Sequence, residues 1–337
     1  MPFPRAVRSY GKLPGRSEMR IIPVFIPHSG CKSRCTFCNE YSATGFSGRP
    51  DESQIRKIVL EYRSYFKNKN NVQLGFYGGT FTGNIPSVME EYLNIALNLY
   101  EEKLIHGIRF STSPDEIDGE KIKILCRYPV EMIELGVESF NCEVLKRSGR
   151  PHGVEEIYES VKLMKENDIP FGIHLMTDLP FSSEDKDFDS ALKTVELKPD
   201  LVRIHPTVVL RGSALEKKYM DGEYIPKSLD ETIEQLWKIY VLFRSSGITV
   251  SRIGICLYGE QKKSVVAGPF HEALGDIVKS RVYYEVLMEI FRRKGRIEIP
   301  ISQKNIFTGY KKGILKKLNE NSIDYTLCEM EEINIEY

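Results

Sequence analysis

Two rhythms of apolar and polar positions alternate over the first two thirds of the chain. Short apolar runs rich in β-branched and aromatic residues occupy Arg20 to Ile26, Val72 to Tyr77, Gly107 to Thr112, Val130 to Val137, Phe171 to Met176 and Leu201 to His205. Their length and bounding turn residues predict strands. Between them the apolar positions recur every three or four residues, as on one face of a helix. Asp51 or Ser53 can cap a helix to about Phe66 that buries Ile55, Ile58, Val59 and Tyr62. Pro86 to Lys103 carries Val88, Tyr92, Ile95, Ala96 and Leu99, and further helical patterns cover Lys121 to Cys126, a segment ending near Arg150, Val154 to Asn167, and Glu184 to Leu197. Such alternation implies right-handed βαβ crossovers and a parallel sheet. Six units are too few to close an eight-fold barrel, so the expected fold is α/β, a partial (β/α)6 TIM-like barrel.

Beyond Pro206 the rhythm changes. A turn-rich bridge from Pro206 to Gly212 precedes a long amphipathic helix from Leu229 to Ser245, which holds the only tryptophan, Trp237. A strand over Ile248 to Leu257, a loop at Gly268 to Glu272, a helix over Ile277 to Arg293 and a mixture of short strands and a basic helix complete the pattern. The expected organisation is an irregular leader (1–19), a core (20–210) and an α+β C-terminal extension (211–337) that caps the core or faces a substrate. No internal repeat or low-complexity stretch interrupts it.

Groups that do chemistry in parallel barrels collect at the carboxyl ends of the strands. After the first strand comes His28-Ser29-Gly30-Cys31-Lys32-Ser33-Arg34-Cys35-Thr36-Phe37-Cys38; after the second, Gly78-Gly79-Thr80; after the third, Ser111 to Ser113; after the fourth, Glu138. Cys31, Cys35 and Cys38 on one loop can ligate three irons of a cubane and leave the fourth free for a small molecule. His28 allows a different reading, a Cys3His structural zinc site, although no second cysteine pair answers the first. Cys126, Cys142, Cys256 and Cys328 are far apart and read as structural.

An odd total of seven cysteines, three of them clustered, argues against a disulfide framework and for a reducing cytoplasm. There is no run of eighteen apolar residues, and Met-Pro-Phe-Pro-Arg-Ala-Val-Arg has no secretory apolar core, so no membrane association is expected. Forty-seven basic residues balance forty-seven acidic ones. That balance gives no general argument for a nucleic-acid partner. Arg292-Arg293-Lys294-Gly295-Arg296, Lys311-Lys312 and Lys316-Lys317 are local basic patches, read first as solvated helix faces.

The cysteine array, with Phe37 just before its last member, resembles the cluster loop of the radical S-adenosylmethionine superfamily. The resemblance implies a [4Fe-4S] cluster on Cys31, Cys35 and Cys38, with S-adenosylmethionine chelated at the open iron and cleaved to a 5′-deoxyadenosyl radical. It further implies an electron donor such as flavodoxin or ferredoxin. Gly78-Gly79-Thr80 resembles the motif by which the family binds the methionyl amino group. Glu134 to Phe140, followed by Arg150, looks like the fourth-strand segment of the branch holding the Elongator catalytic subunit and the oxygen-independent coproporphyrinogen oxidases. By that likeness Glu138 meets ribose hydroxyls and Arg150 the methionyl carboxylate. Ser111 stands where some relatives have an acidic ligand-binding residue, and His174 stands at another ligand-facing position.

The run from Val202 to Gly212, with His205, Thr207 and Arg211, is also similar to the Elongator subunit. Arg252, Tyr258, Glu260 and His271 are candidate substrate contacts. Position 40 is Glu, where coproporphyrinogen oxidases place a fourth cysteine. The second cluster of methylthiotransferases and a convincing acyl-CoA loop are not seen. The substrate is therefore unnamed, with a nucleoside in tRNA or another RNA left open. The alternatives are a cluster carrier or haem-chaperone-like protein without radical catalysis, and a zinc-stabilised binding module.

Overall fold

The computed structural model describes residues 5–7, 19–329 and 333–336. Its centre is one sheet of seven parallel strands: β1 (Arg20–Phe25), β2 (Val72–Tyr77), β3 (Gly107–Thr112), β4 (Val130–Glu138), β5 (Phe171–Thr177), β6 (Leu201–Pro206) and β7 (Thr249–Ile253). They pair strictly in chain order, β1 to β7, as successive right-handed crossovers require. The sheet is a half-barrel, open at both edges among the described residues. Six strands fall where the apolar rhythm puts them. The seventh, expected as part of the extension, pairs with β6 at Leu201–Thr249, Val202–Val250, Arg203–Arg252 and Ile204–Ile253 and lengthens the same sheet.

The short helix α1 (Glu40–Thr44) sits in the loop after β1 at the carboxyl ends of the strands, and helices cover the outer face: α2 (Glu52–Tyr65), α3 (Pro86–Glu101), α4 (Gly119–Leu125), α5 (Cys142–Arg147), α6 (Val154–Glu166) and α7 (Glu184–Leu197). Asp51 starts α2 with a reciprocal capping box to Gln54, and Ser183 caps α7 by accepting from the Lys186 N–H. The side chains that pack against these helices alternate along each strand. Leu74 and Phe76, Ile108 and Phe110, Ile133 and Leu135, Ile173, and Val202 and Ile204 are fully buried in one core with Ile55, Val59, Leu93 and Ile157. Burying each such side chain contributes about 1.5–3 kcal/mol. The period of two sends the intervening residues to the concave face, where Ile21, Pro23, Phe25 and Met176 are joined by the polar Tyr77, Ser111, His174, Arg203 and His205.

A long helix, Leu274–Lys294, links two cores. Leu274, Val278 and Val282 complete the main core against the helix Leu229–Ser245, whereas Val286, Leu287 and Ile290 nucleate a second with Ile297, Ile299, Phe307, Ile314 and Leu318. Within the stretch read as an irregular leader, Arg5–Val7 is a strand paired antiparallel to Asn334–Glu336. That pairing joins the two ends of the chain and has no local signature. The rest of the leader, residues 1–4 and 8–18, lies outside the described residues.

Candidate active site

The loop after β1 is folded back on the loop after β2 by backbone bonds alone. The Ile26 N–H donates to Tyr77 O (2.8 Å), His28 N–H to Gly78 O (2.6 Å) and Thr80 N–H to Ser29 O (2.9 Å). Glycines make this approach possible. A Cβ on Gly30, which sits at φ +74°, would stand 2.1 Å from Thr80 O, and one on Gly79 would stand 2.5 Å from Ser29 O and 2.7 Å from Ile26 O. Gly79→Ala must therefore push two backbone segments apart. We expect it to cost about 1–3 kcal/mol of stability in urea unfolding, and a variant within 0.5 kcal/mol of the parent would refute this packing.

Cys31, Cys35 and Cys38 all face one cavity of about 680 Å³ at the carboxyl ends of the strands. Cys31 Sγ lies 3.3 Å from Thr80 Oγ1, Arg150 Nη1 donates to Cys35 Sγ (3.2 Å), and the Cys38 thiol points to Glu40 Oε1 (3.7 Å). Burial, then the neighbouring Glu40, pushes the Cys38 thiol well above its usual pKa. Burial also raises Cys31. Such thiols surrender their protons to a cation that replaces them. Among the described residues no three His, Cys, Asp or Glu groups are gathered closely enough to share one metal ion. Tetrahedral zinc needs its thiolates about 2.3 Å from a single point, whereas a cube gives each thiolate its own iron. His28 Nε2 accepts the Glu40 N–H (3.1 Å), so one of its two ring nitrogens is already engaged.

The same cavity is lined by Phe37, Gly78, Gly79, Thr80, Ser111, Glu138, Arg150 and His174. Five different strand ends thus bring every candidate of the cysteine, glycine and fourth-strand motifs to one wall. Glu138 reaches it through a bulge. The β4–β5 register shifts between Gly136 and Glu138, and Glu138 adopts φ +65°, uncommon for a residue with a Cβ. Burial raises its carboxyl pKa against the pull of Arg150 and His174. Arg150 is pinned by Gly136 O (2.5 Å), Ser113 Oγ (3.3 Å) and His152 Nε2 (3.1 Å).

Two family models account for most of this architecture. The Radical SAM superfamily matches residues 25–194, half of the chain, and the Radical_SAM C-terminal domain matches residues 199–284. The chain belongs to the radical SAM superfamily. Members of this enzyme superfamily generally use a [4Fe-4S] cluster and S-adenosylmethionine. The tRNA uridine(34) acetyltransferase of Methanocaldococcus infernus is 32% identical over 251 residues, covering 63% of this chain and 46% of that protein. The solved archaeal Elp3 of the same organism superposes with a TM-score of 0.64 at 21% identity, over 82% of this chain and 63% of the other. Coproporphyrinogen III oxidase (HemN) of Escherichia coli gives 0.50 at 19% identity, over 68% and 53% of the two chains. The chain spans about half the length of the curated relatives it matches.

Below the cavity of this radical SAM chain lies a charge network that the motifs did not reveal. Glu134, fully buried, accepts from Arg109 Nε (2.9 Å), Tyr77 OH (2.7 Å) and His174 Nε2 (2.8 Å), and pairs with Arg203 Nε (2.8 Å). Burial alone would raise its pKa, but Arg203, His174 and Arg109 together hold it well below the usual carboxylate range. His174 is thereby oriented from below, with Nε2 donating to the carboxylate. Glu40, remarked in the sequence only as a departure from a family pattern, also lines the cavity. Its Oε2 lies 3.2 Å from where a Gly78 Cβ would be.

The remaining candidates divide. His205, Arg252 and Tyr258 line the cavity, with Cys256 hydrogen-bonded to the Tyr258 hydroxyl (3.3 Å). Arg211 offers its backbone carbonyl to Asn39 Nδ2 (2.7 Å) and Ser42 Oγ (3.2 Å), which anchors α1, and Thr207 ties itself to Thr177 O (2.7 Å). Glu260 pairs with Lys263 on an exposed turn, and His271 packs edge-on against Tyr310, so neither lines the cavity.

His152 gives the site a pH dependence. Its Nε2 accepts from Arg150 and its Nδ1 faces Gly153 O (3.0 Å), so the neutral ring is the one that fits. Burial, reinforced by Arg150, lowers its pKa from 6.5 to about 4. The unfolded chain therefore binds this proton first on acidification. Its stabilising contribution is complete above about pH 6.5 and falls away as the pH drops toward 4. We expect His152→Gln to flatten the urea stability profile between pH 7 and 5. A variant profile parallel to the parent's would contradict this assignment.

Proposed function

We propose that this chain is a radical SAM enzyme acting on a nucleoside of an RNA. Cys31, Cys35 and Cys38 hold a [4Fe-4S] cluster, and Gly78, Gly79, Thr80, Glu138 and Arg150 hold S-adenosylmethionine. One observation carries the reading: three thiols, a glycine-lined backbone edge, a carboxylate and a guanidinium from successive strand ends meet on one cavity wall. When bound, the reduced cluster supplies the electron that splits the sulfonium into methionine and a 5′-deoxyadenosyl radical.

The protein's own groups bind and orient. The Arg150 guanidinium matches a carboxylate as a fork. Backbone carbonyls at Gly78 and Gly79, with no side chain in the way, accept from an ammonium. Glu138 accepts from a diol, and its acceptor-rich carboxylate suits ribose. Ser111 donates to Gly79 O (3.4 Å) and steadies the glycine edge, while the His174 ring is held in place by Glu134. Phe37 packs beside Val209, Leu215 and Tyr224 and closes the loop's apolar side.

Arg203, His205, Arg252, Cys256 and Tyr258, from β6, β7 and the segment after it, also line the cavity, and we assign them to substrate. Relatives named for tRNA uridine modification support RNA as the substrate class. A flavodoxin- or ferredoxin-like donor in a reducing cytoplasm would supply the electron. No helix among the described residues is long and apolar enough to cross a membrane. The domain boundaries at residues 20 and 210 remain part of the proposal, with the extension supplying substrate contacts.

Anaerobic reconstitution should give about four irons per chain, a reduced paramagnetic signal that S-adenosylmethionine perturbs, and 5′-deoxyadenosine on reduction. A colourless protein with stoichiometric zinc would reject the reading. A cluster that never yields 5′-deoxyadenosine would leave a carrier.

A further inference from the structure

The chain is neutral as a whole, yet residues 292–317 hold nine Lys or Arg against one acid, Glu298. This +8 imbalance is offset by −8 spread over the rest of the chain. The segment lies beyond both family matches, which end at residue 284. Part of its charge is neutralised locally: Arg292 and Arg293 pair with Glu289, and Arg296 with Glu298. Lys311, Lys312 and Lys316 are exposed and have no carboxylate partner among the described residues.

Packing fixes the direction these lysines face. The helix Gly313–Glu320 buries Ile314 and Leu318 against the second core. Lys312 and Lys316, four residues apart, are neighbours on its outer side. Two aromatic rings lie beside the cations. Lys311 Nζ lies over the Tyr310 ring (5.3 Å) and Lys317 Nζ over Tyr284 (5.6 Å). Cations that track phosphates beside rings that stack on bases are the two elements by which proteins hold single-stranded nucleic acid.

The basic turn is also tied to the cavity mouth. Tyr310 meets His271 edge-on at 5.5 Å. His271 belongs to the Gly268–Glu272 loop, where a Cβ on Gly268 would stand 3.0 Å from Thr207 O and 3.1 Å from Val208 Cα, and Val208 lines the cavity. On the other side of that loop, Glu272 pairs with Lys262, next to the wall residue Gln261.

We propose that Lys311, Lys312, Lys316 and Lys317, with Tyr310, form an RNA-docking surface that grips the phosphate backbone while one nucleoside of the same RNA reaches the cavity. This rests on the cavity being a radical SAM site for a nucleoside. Its test is equilibrium binding, which needs neither cluster nor S-adenosylmethionine. Fluorescence anisotropy with a labelled tRNA and the full chain, with and without reconstitution, would compare the parent with K311E/K312E/K316E and with a control reversal of exposed lysines elsewhere, K57E/K67E/K69E.

Removing three phosphate contacts should weaken binding at least tenfold and lower the salt slope by about 2–3 units, with the control near the parent. K311A/K312A/K316A repeats the test without introducing negative charge. Equal losses in both triples, no loss in either, or no RNA binding by the parent overturns the docking surface. So does binding through these lysines to anionic vesicles or an acidic protein but not to RNA. A localised RNA effect in a chain that fails to make 5′-deoxyadenosine would instead overturn the radical SAM reading and leave the surface standing.

Discussion

We expect Cys35→Ala to abolish cluster binding while the fold persists. Cys35 is the thiol that receives a hydrogen bond from Arg150 (3.2 Å), and it stands between Cys31 and Cys38 on a loop otherwise fixed by backbone bonds to Gly78 and Thr80. Replacing its side chain removes one of the three proposed iron ligands and touches none of those bonds. Two thiolates cannot hold a cube that is normally held by four ligands. The reconstituted variant should therefore carry well under one iron per chain where the parent carries about four, with its far-ultraviolet circular dichroism unchanged. Formation of 5′-deoxyadenosine should fall below detection. Retention of the full paramagnetic signal would remove Cys35 from the ligand set. Loss of the folded spectrum would instead make the loop a structural knot.

The second large effect concerns stability. Arg109 is 2% exposed and Glu134 0%, so Glu134→Ala strands a buried guanidinium and leaves Arg203, at 16%, short of its partner. Breaking a buried pair from one side costs about 3–5 kcal/mol, because the remaining charge keeps its desolvation penalty. Urea unfolding should show a loss of that order, and a loss below 1 kcal/mol would mean that water reaches the network.

Glu134→Gln retains the shape but not the charge, and the sign of its pH dependence follows from the depressed carboxyl pKa. A carboxylate favoured in the folded state contributes fully above its unfolded pKa, and the contribution is lost as pH falls through the folded one. The gap between parent and variant should thus be widest near neutrality and close in strong acid. The same carboxylate orients His174 (2.8 Å), so on the proposed function both variants should also weaken S-adenosylmethionine binding.

The sequence by itself determined the local elements and the motif chemistry. Strands at Val72–Tyr77 and Gly107–Thr112 and the helix Leu229–Ser245 begin and end where periodicity puts them, because a strand's alternation and a helix's apolar face are written in contiguous residues. The cysteines and Gly78-Gly79-Thr80 were legible for the same reason: short-range spacing at a strand end defines them.

Tertiary structure decided what depends on partners distant in the chain. Arg109, Glu134 and Arg203 each look like a lone charge in an apolar strand. Only the half-barrel turns their alternate positions inward and joins them to Tyr77, 126 residues from Arg203. It likewise placed Thr249–Ile253 on the edge of the sheet, aimed Glu138 inward through a bulge, set Glu40 against Gly78, and paired Arg5–Val7 with Asn334–Glu336. Each of these is a pairing between separated segments. Its free energy lies in the desolvation and hydrogen bonding of groups that meet only once the sheet has curved around them.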